Sequence, residues 1–319
     1  MAYFFLQITS IARSAGRRAT ASAAYRAGER LRDERSGQVH NFSHRNDVLH
    51  SEILLPGQFA RVQPAWARER ERLWNTAEHA EKRYSARVAR EYQVALPAEL
   101  SGAQRIMLAR TFAREVAERY RVAVDLAVHA PRAGSDPRHF HAHLLTTTRE
   151  VTPTGLGAKT GIDLNARERA RRGLPDHRSE YLHLRERWAT LANAALREAH
   201  VDARIDHRSL AAQGLDREPL PSIPLGHLKM EQRGVRSERA EGLRADYRQR
   251  LERRERAREE AAAATPAVAA GTPRRDLEEV RREARRAWLA LRRQALGERS
   301  VAAERAADAV PQAEEDLGL

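Results

Sequence analysis

Residues 121–149 read RVAVDLAVHAPRAGSDPRHFHAHLLTTTR. Arg121–Ala130 has the composition of a strand, PRAGSDPRHF is too rich in Pro and Gly to continue it, and His141–Arg149 resumes with β-forming residues. Two such runs joined by a turn-rich loop predict an antiparallel hairpin. Strand residues of equal parity share a face, so His141 and His143 project together. Facing residues of an antiparallel pair have a constant index sum, so pairing of His129 with His141 or His143 puts all three imidazoles on one side. That outcome requires a ladder without a bulge. Three neutral imidazoles on one face form a metal site with an open position for substrate. The alternative is three ordinary half-buried histidines in a chain rich in Arg and His.

Outward from the hairpin, Ala2–Thr9 is short, apolar and aromatic, a strand pattern, and Arg13–Arg18 (RSAGRR) is a basic loop. Ala19–Leu31 is an Ala-rich helix, Asp47–Pro56 is extended, Pro64–Arg83 is a charged amphipathic helix and Val88–Leu96 alternates as a strand. Ser101 caps a helix whose apolar residues are Ile106, Leu108, Phe112 and Val116. Glu180–His200 is a long helix with Leu184, Trp188, Leu191 and Leu196 on its apolar side, and Ala203–Leu210 reads as a short strand or turn. Near residue 236 the chain becomes rich in Arg, Glu and Ala. The expected division is a globular domain over 1–235, a charged helix over 236–260, a linker over 261–273 and a helical or disordered tail over 274–319.

The 319 residues carry 57 Lys+Arg against 44 Asp+Glu, a formal charge of +13. Ten basic and ten acidic residues make 274–319 neutral, so the positive charge lies in the preceding part and suits a polyanionic partner there. The absence of Cys excludes a disulfide scaffold, a zinc ribbon, an iron–sulfur site and a thiol nucleophile. No apolar run reaches the roughly 18 residues of a membrane span. The N-terminal apolar stretch precedes its charges, the reverse of a signal peptide. A soluble cytoplasmic protein without membrane insertion is expected.

A metal without an acidic catalytic pair, in a basic protein, points to phosphodiester chemistry, in which the ion stabilises charge on phosphate oxygens. Without Cys, the nucleophile is water, Ser/Thr or Tyr. Tyr25 stands out because Ser22-Ala23-Ala24 leave room for a nucleic-acid backbone, and Arg13, Arg17, Arg18 and Arg26 lie near it in sequence to neutralise phosphates. A phenol attacks as phenolate only with nearby positive charge. From composition alone, Tyr25 reads more readily as a packing residue than as a nucleophile.

The ordered segments RSAGRRATASAAYRAGERLRDERSG, DVLHSEILLP, AREYQVALPAEL, VHA…HFHAHLLTTTR, LANAALREAHVDARIDHRSLAAQG and MEQRGVRSERAE resemble the MobA/MobL relaxases of mobilisable and conjugative plasmids over about residues 1–242. The resemblance implies an α+β fold of the histidine–hydrophobe–histidine endonucleases, an antiparallel sheet flanked by helices, here with a helical C-terminal extension. It implies a nickase whose tyrosine attacks one phosphodiester at the nic site of a transfer origin, leaving a 5′-phosphotyrosine adduct and a 3′-hydroxyl that can later be rejoined. The family tyrosine falls on Tyr25 and the metal-binding histidines on His129, His141 and His143. The implied cofactor is a divalent ion, Mn²⁺ or Mg²⁺ first and Zn²⁺ next. The implied partners are single-stranded DNA of the transfer origin, accessory mobilisation proteins and the secretion coupling protein.

Two departures stand out. The family's Asn-Pro-His-Ala-His is here His139-Phe140-His141-Ala142-His143, so His139 is a candidate substitute ligand or activating group. Of two acidic residues that precede the family's Ala-Leu-Pro, Glu91 is kept and Gln93 replaces the second. Loss of an acid that orients a metal-binding histidine motivates a second reading, a non-catalytic protein that holds origin DNA. A replication initiator with the same chemistry is a third. His50, which matches a family position, reads as a strand-edge histidine.

Overall fold

The hairpin of residues 121–149 forms the middle of a five-stranded antiparallel sheet. The computed structural model describes residues 2–132 and 134–264, together with 282, 285 and 286. In chain order the first unit, Met1–Arg217, contains β1 (Leu6–Ala12), α1 (Ala19–Ala27), β2 (Arg30–Arg32), β3 (Val39–Asn41), β4 (Val48–Leu54), α2 (Ala65–Arg68), α3 (Arg70–Ala80), β5 (Arg87–Ala95), α4 (Gly102–Tyr120), β6 (Val124–His129), β7 (His141–Thr147), β8 (Arg149–Thr152), β9 (Gly155–Lys159), α5 (Ala166–Arg171) and α6 (His177–Glu198). A second unit begins at Glu218 and contains α7 (Leu225–Gln232) and α8 (Glu238–Ala264).

The main sheet has the order β1-β5-β7-β6-β4. In β5, β6 and β7 the even-numbered residues Tyr92, Val94, Leu126, Val128, Ala142 and Leu144 are fully buried under α4 and α6, where they meet Leu108, Phe112 and Trp188. α4 starts as expected, Ser101 and Gln104 forming a reciprocal capping box. The opposite face holds Ile11, Ala89 and Leu145 beneath α1 and α3, with Ala19, Ala23, Ala24, Leu73 and Trp74. On this second face the odd-numbered row turns polar toward one end, at Glu91, Gln93, His143, His141 and His129. The two faces therefore divide the labour: one is continuous apolar core, the other exchanges core for chemistry along its length.

Several expected boundaries move. The first strand is Leu6–Ala12 rather than Ala2–Thr9, because its partners are Leu6↔Val94 through Ala12↔Arg87. The Ala-rich helix stops at Ala27 instead of Leu31: Gly28 takes φ +67, and a Cβ there would come within 3.1 Å of Val48 Cγ2. Residues 30–32 then pair with 39–41. The expected 64–83 helix breaks at Glu69, whose backbone is extended. The new helix directs Arg70 (2.9 Å) and the Trp74 indole N–H (2.8 Å) at buried Asp125. Residues 203–210 form no strand among the described residues. Instead the Asn193 side chain donates to the Ile205 carbonyl and accepts from its N–H, both at 2.9 Å, tying this segment to α6. The charged helix over 236–260 runs Glu238–Ala264, into the stretch expected as linker. The rest of the linker and the tail over 274–319 lie outside the described residues apart from 282, 285 and 286. Among the described residues no helix is long and apolar enough to cross a membrane.

Candidate metal and nucleophile site

The β6–β7 ladder is regular: His129 faces His141 and Ala127 faces His143. The three imidazoles therefore share a face, as parity required, with ring centroids 5.2 Å (His129–His141), 4.9 Å (His129–His143) and 5.1 Å (His141–His143) apart. One nitrogen from each ring lies within 4.8 Å of the other two.

In each ring one nitrogen is anchored to the protein. His129 Nε2 lies 2.7 Å from the Arg26 carbonyl and His141 Nδ1 lies 3.0 Å from the His139 carbonyl. A carbonyl only accepts, so both nitrogens carry the proton and the other nitrogen of each ring keeps its lone pair. His143 Nδ1 lies 2.7 Å from Glu91 Oε1. Burial lowers His129 to about 3, with the neighbouring His143 adding to the effect, and burial lowers His141 to about 4. Burial also lowers His143, against the opposing pull of Glu91. Near neutral pH all three rings are neutral, and one nitrogen of each lies within 4.8 Å of the others, a donor set that suits a divalent ion with imidazole affinity. The donor set fits a metal.

Glu91 is the support of this arrangement. Burial works against its charge, but His143 and Arg26 hold its carboxyl well below the usual carboxylate range. Arg26 Nε donates to Oε1 and Arg26 Nη2 pairs with Oε2, both at 2.5 Å, while Thr9 Oγ1 is 3.4 Å and Arg17 Nη2 3.7 Å from Oε2. Carboxylate–histidine pairs of this kind orient a ligating ring and raise its basicity.

Tyr25 sits on α1 one residue before the Arg26 carbonyl that anchors His129. Its ring packs edge-on against Phe42 at 5.2 Å and under the Arg45 guanidinium at 4.1 Å, and its hydroxyl oxygen accepts a hydrogen bond from Arg132 Nη2 at 2.6 Å. Arg45 is fixed by an ion pair to Asp47 and by its bond to the Tyr25 carbonyl at 2.5 Å. An open cleft of about 660 Å³ is lined by Tyr25, Phe42, His44, Arg45 and Arg132 among others.

The structure separates the expected arginines by role. Arg13 is buried, bonded to the Glu78 carboxylate at 2.9 Å and to the Glu78 and Glu81 carbonyls; it braces α3 and is not available to a phosphate. Arg26 is sequestered by Glu91. Arg17 and Arg18 keep partly exposed heads. His139 is exposed, stacks edge-on near Tyr3 and contributes only its carbonyl to the histidine group, so it is not a substitute ligand. His50 faces α4 on the other side of the sheet, bonded to Glu52 at 2.9 Å. Arg45 and Arg132 escaped the sequence reading: each is one arginine among many in a loop, with nothing local to single it out.

The MobA/MobL family model matches residues 17–233. The mobilization protein MobL of Acidithiobacillus ferridurans is 38% identical over 278 residues, covering 79% of this chain and 70% of that protein. The probable mobilization protein MobA of Bifidobacterium longum is 32% identical over 272 residues, 76% of this chain and 46% of that protein, so this chain spans about half of that relative's length. A solved structure described as the molecular basis of vancomycin resistance transfer in Staphylococcus aureus is 27% identical, with a TM-score of 0.51 over 65% of this chain and 100% of that one.

Proposed function

The chain belongs to the MobA/MobL family, and we propose that it is a relaxase that nicks one DNA strand at a plasmid transfer origin, with Tyr25 as nucleophile and His129, His141 and His143 as the metal-binding set. The observation that carries this reading is the pairing of three neutral imidazoles, each with one nitrogen anchored and one free, with a tyrosine whose oxygen already accepts from a guanidinium. The sequence of bonds follows. The Tyr25 hydroxyl proton leaves to solvent, and the Arg132 guanidinium stabilises the charge that builds on the phenolic oxygen. That oxygen bonds to phosphorus while the bond from phosphorus to the 3′ oxygen breaks. The 3′ oxygen takes up a proton and becomes a 3′-hydroxyl, and the 5′ end stays on Tyr25 as a phosphodiester. Because one phosphodiester replaces another, the reverse attack rejoins the strand. A divalent ion held by the three imidazoles would polarise the scissile phosphate and offset charge on its oxygens.

An all-imidazole donor set favours Mn²⁺ or Zn²⁺ over Mg²⁺, which prefers oxygen ligands and would rely on phosphate oxygens here. Arg17 and Arg18, with their partly exposed heads, are the cations that would meet the DNA backbone. The same reading assigns the protein to the cytoplasm, where such plasmid DNA resides. Gln93 had favoured a binding-only protein, but it lies across from His143 in the ladder while Glu91 makes the bond to that ring. The orienting carboxylate is therefore retained, which favours the catalytic reading. The test is incubation of a labelled single-stranded oligonucleotide from the cognate transfer origin with Mn²⁺ or Mg²⁺, with and without chelator. A metal-dependent labelled protein band on a denaturing gel that maps to Tyr25 is expected. Tight, salt-sensitive binding without that band would leave a DNA-binding protein alone.

A further inference from the structure

At the opposite end of the strands from the histidines lies a cavity of about 600 Å³ whose lining includes Lys82, Arg83, Arg87, Arg149, Lys159 and Glu81. Its acids are already matched: Glu81 pairs with Arg149 at 2.8 Å and with Lys159 at 3.3 Å, and Asp163 on the same wall pairs with Arg90 at 2.6 Å. Among the described residues, Lys82, Arg83 and Arg87 have no carboxylate within ion-pair reach, and Lys82 and Arg83 are exposed. The cavity wall thus carries uncompensated positive charge, with two of the chain's three lysines on it. An ammonium is a compact charge that meets a phosphate oxygen from many angles.

The cavity is linked to the reaction site. Arg149 lies six residues beyond His143 along the chain, across the Thr148 bend between β7 and β8, an interval of at most about 20 Å at roughly 3.3 Å per residue. The loop between β1 and α1 spans the interval. At its base Arg13 Nη1 donates to the Arg83 carbonyl at 3.2 Å, and further along it carries Arg17, 3.7 Å from Glu91, and Arg18. From the geometry we infer that this cavity is a second phosphate-binding site, which holds the backbone of the DNA several nucleotides away from the cleaved bond, reached along Arg17 and Arg18. The inference rests on the relaxase reading for the DNA's position, and on the cavity's charge for its existence.

The test uses the full chain and two oligonucleotides from the cognate transfer origin, one confined to a few nucleotides around the nick and one extended well beyond the 20 Å interval on both sides. The double variant Lys82→Gln/Arg83→Gln removes two exposed charges and no ion pair. Expected are roughly tenfold weaker binding of the long oligonucleotide at low salt and a salt slope smaller by about 1 to 2. The short oligonucleotide should keep its affinity and its rate of adduct formation. Equal weakening of both lengths, or no weakening of the long one, overturns the inference. A variant that loses inorganic tripolyphosphate but holds both oligonucleotides like the parent overturns it in favour of a small-anion site. Length-dependent loss without any adduct would sink the relaxase reading and leave this one standing. Adduct formation without length-dependent loss does the reverse.

Discussion

His143 Nδ1 and Glu91 Oε1 stand 2.7 Å apart, on neighbouring strands but not opposite each other in the ladder. The pair is diagonal: His143 faces Gln93, and Glu91 faces Leu145. Side chains two residues along the adjacent strand are within reach of long groups, so a carboxylate one step down the sheet can orient the ring. Glu91→Gln is therefore expected to lower metal affinity by about 10- to 100-fold and to slow adduct formation in step. Metal titration and adduct kinetics on the same preparation check it; unchanged affinity would remove Glu91 from the supporting role.

Tyr25→Phe deletes one oxygen and leaves the ring contacts with Phe42 and Arg45 in place. Covalent adduct should vanish while origin binding and metal content stay near the parent's. Adduct persisting on another residue would show that the nucleophile is misassigned.

Arg132 is exposed, and its guanidinium donates the 2.6 Å bond to the Tyr25 oxygen. Loss of a charged hydrogen bond costs about 1.5–3 kcal/mol, which corresponds to a rate loss of about 10- to 100-fold. Arg132→Gln should show that loss in single-turnover adduct formation with little change in DNA affinity. A drop in affinity with an unaltered rate would make Arg132 a phosphate contact instead.

Arg13 makes the opposite prediction. Its guanidinium is buried against Glu78, and Glu78 also accepts from the Ala19 N–H at the start of α1 at 2.7 Å. Arg13→Ala strands that carboxylate and should destabilise the fold by about 3–5 kcal/mol in denaturant unfolding. The salt dependence of DNA binding, measured below the unfolding range, should not move.

The histidines set a pH dependence. His129 titrates near 3 and His141 near 4 in the folded chain, chiefly through burial. Between those values and about 6.5 the unfolded chain binds protons that the folded chain refuses, so stability declines as pH falls through that window. The depressed Glu91 carboxyl acts in the same direction below the ordinary carboxylate range. Metal-free protein should melt at lower temperature at pH 5 than at pH 7. Because His129 and His141 stay neutral at pH 5.5, metal affinity there should fall less from its pH 7.5 value than three solvated imidazoles would give, whereas affinity falling steeply from pH 6.5 would indicate solvated histidines.

Much of the site was legible in the residues alone. Parity places His141 and His143 together, because the side-chain period of a strand is fixed by covalent geometry, and the constant index sum adds His129 once the structure shows the ladder to be regular. The Pro- and Gly-rich loop, the Ser101 cap and the apolar spacing of α4 are likewise local signals that local structure obeys. The assignment of the arginines was not legible. Arg13, Arg17, Arg18 and Arg26 share one short basic stretch, yet one is buried on Glu78, one is held by Glu91 and two keep partly exposed heads. Their fate depends on Glu78 and Glu91, which the chain delivers more than fifty residues later. Arg45 and Arg132 reach Tyr25 from loops 20 and 107 residues away.

The sequence by itself determined the hairpin, the shared face of His141 and His143 and the small-residue setting of Tyr25, while the bulge-free register that brings His129 to them came from the tertiary structure. The first three follow from backbone periodicity and side-chain size, which act over a few residues. Only the tertiary structure decided which carboxylate orients which ring, which guanidinium meets the phenolic oxygen and which cations are left uncompensated at the far end of the sheet. Burial and ion pairing are properties of the space between elements, and no single segment contains that space.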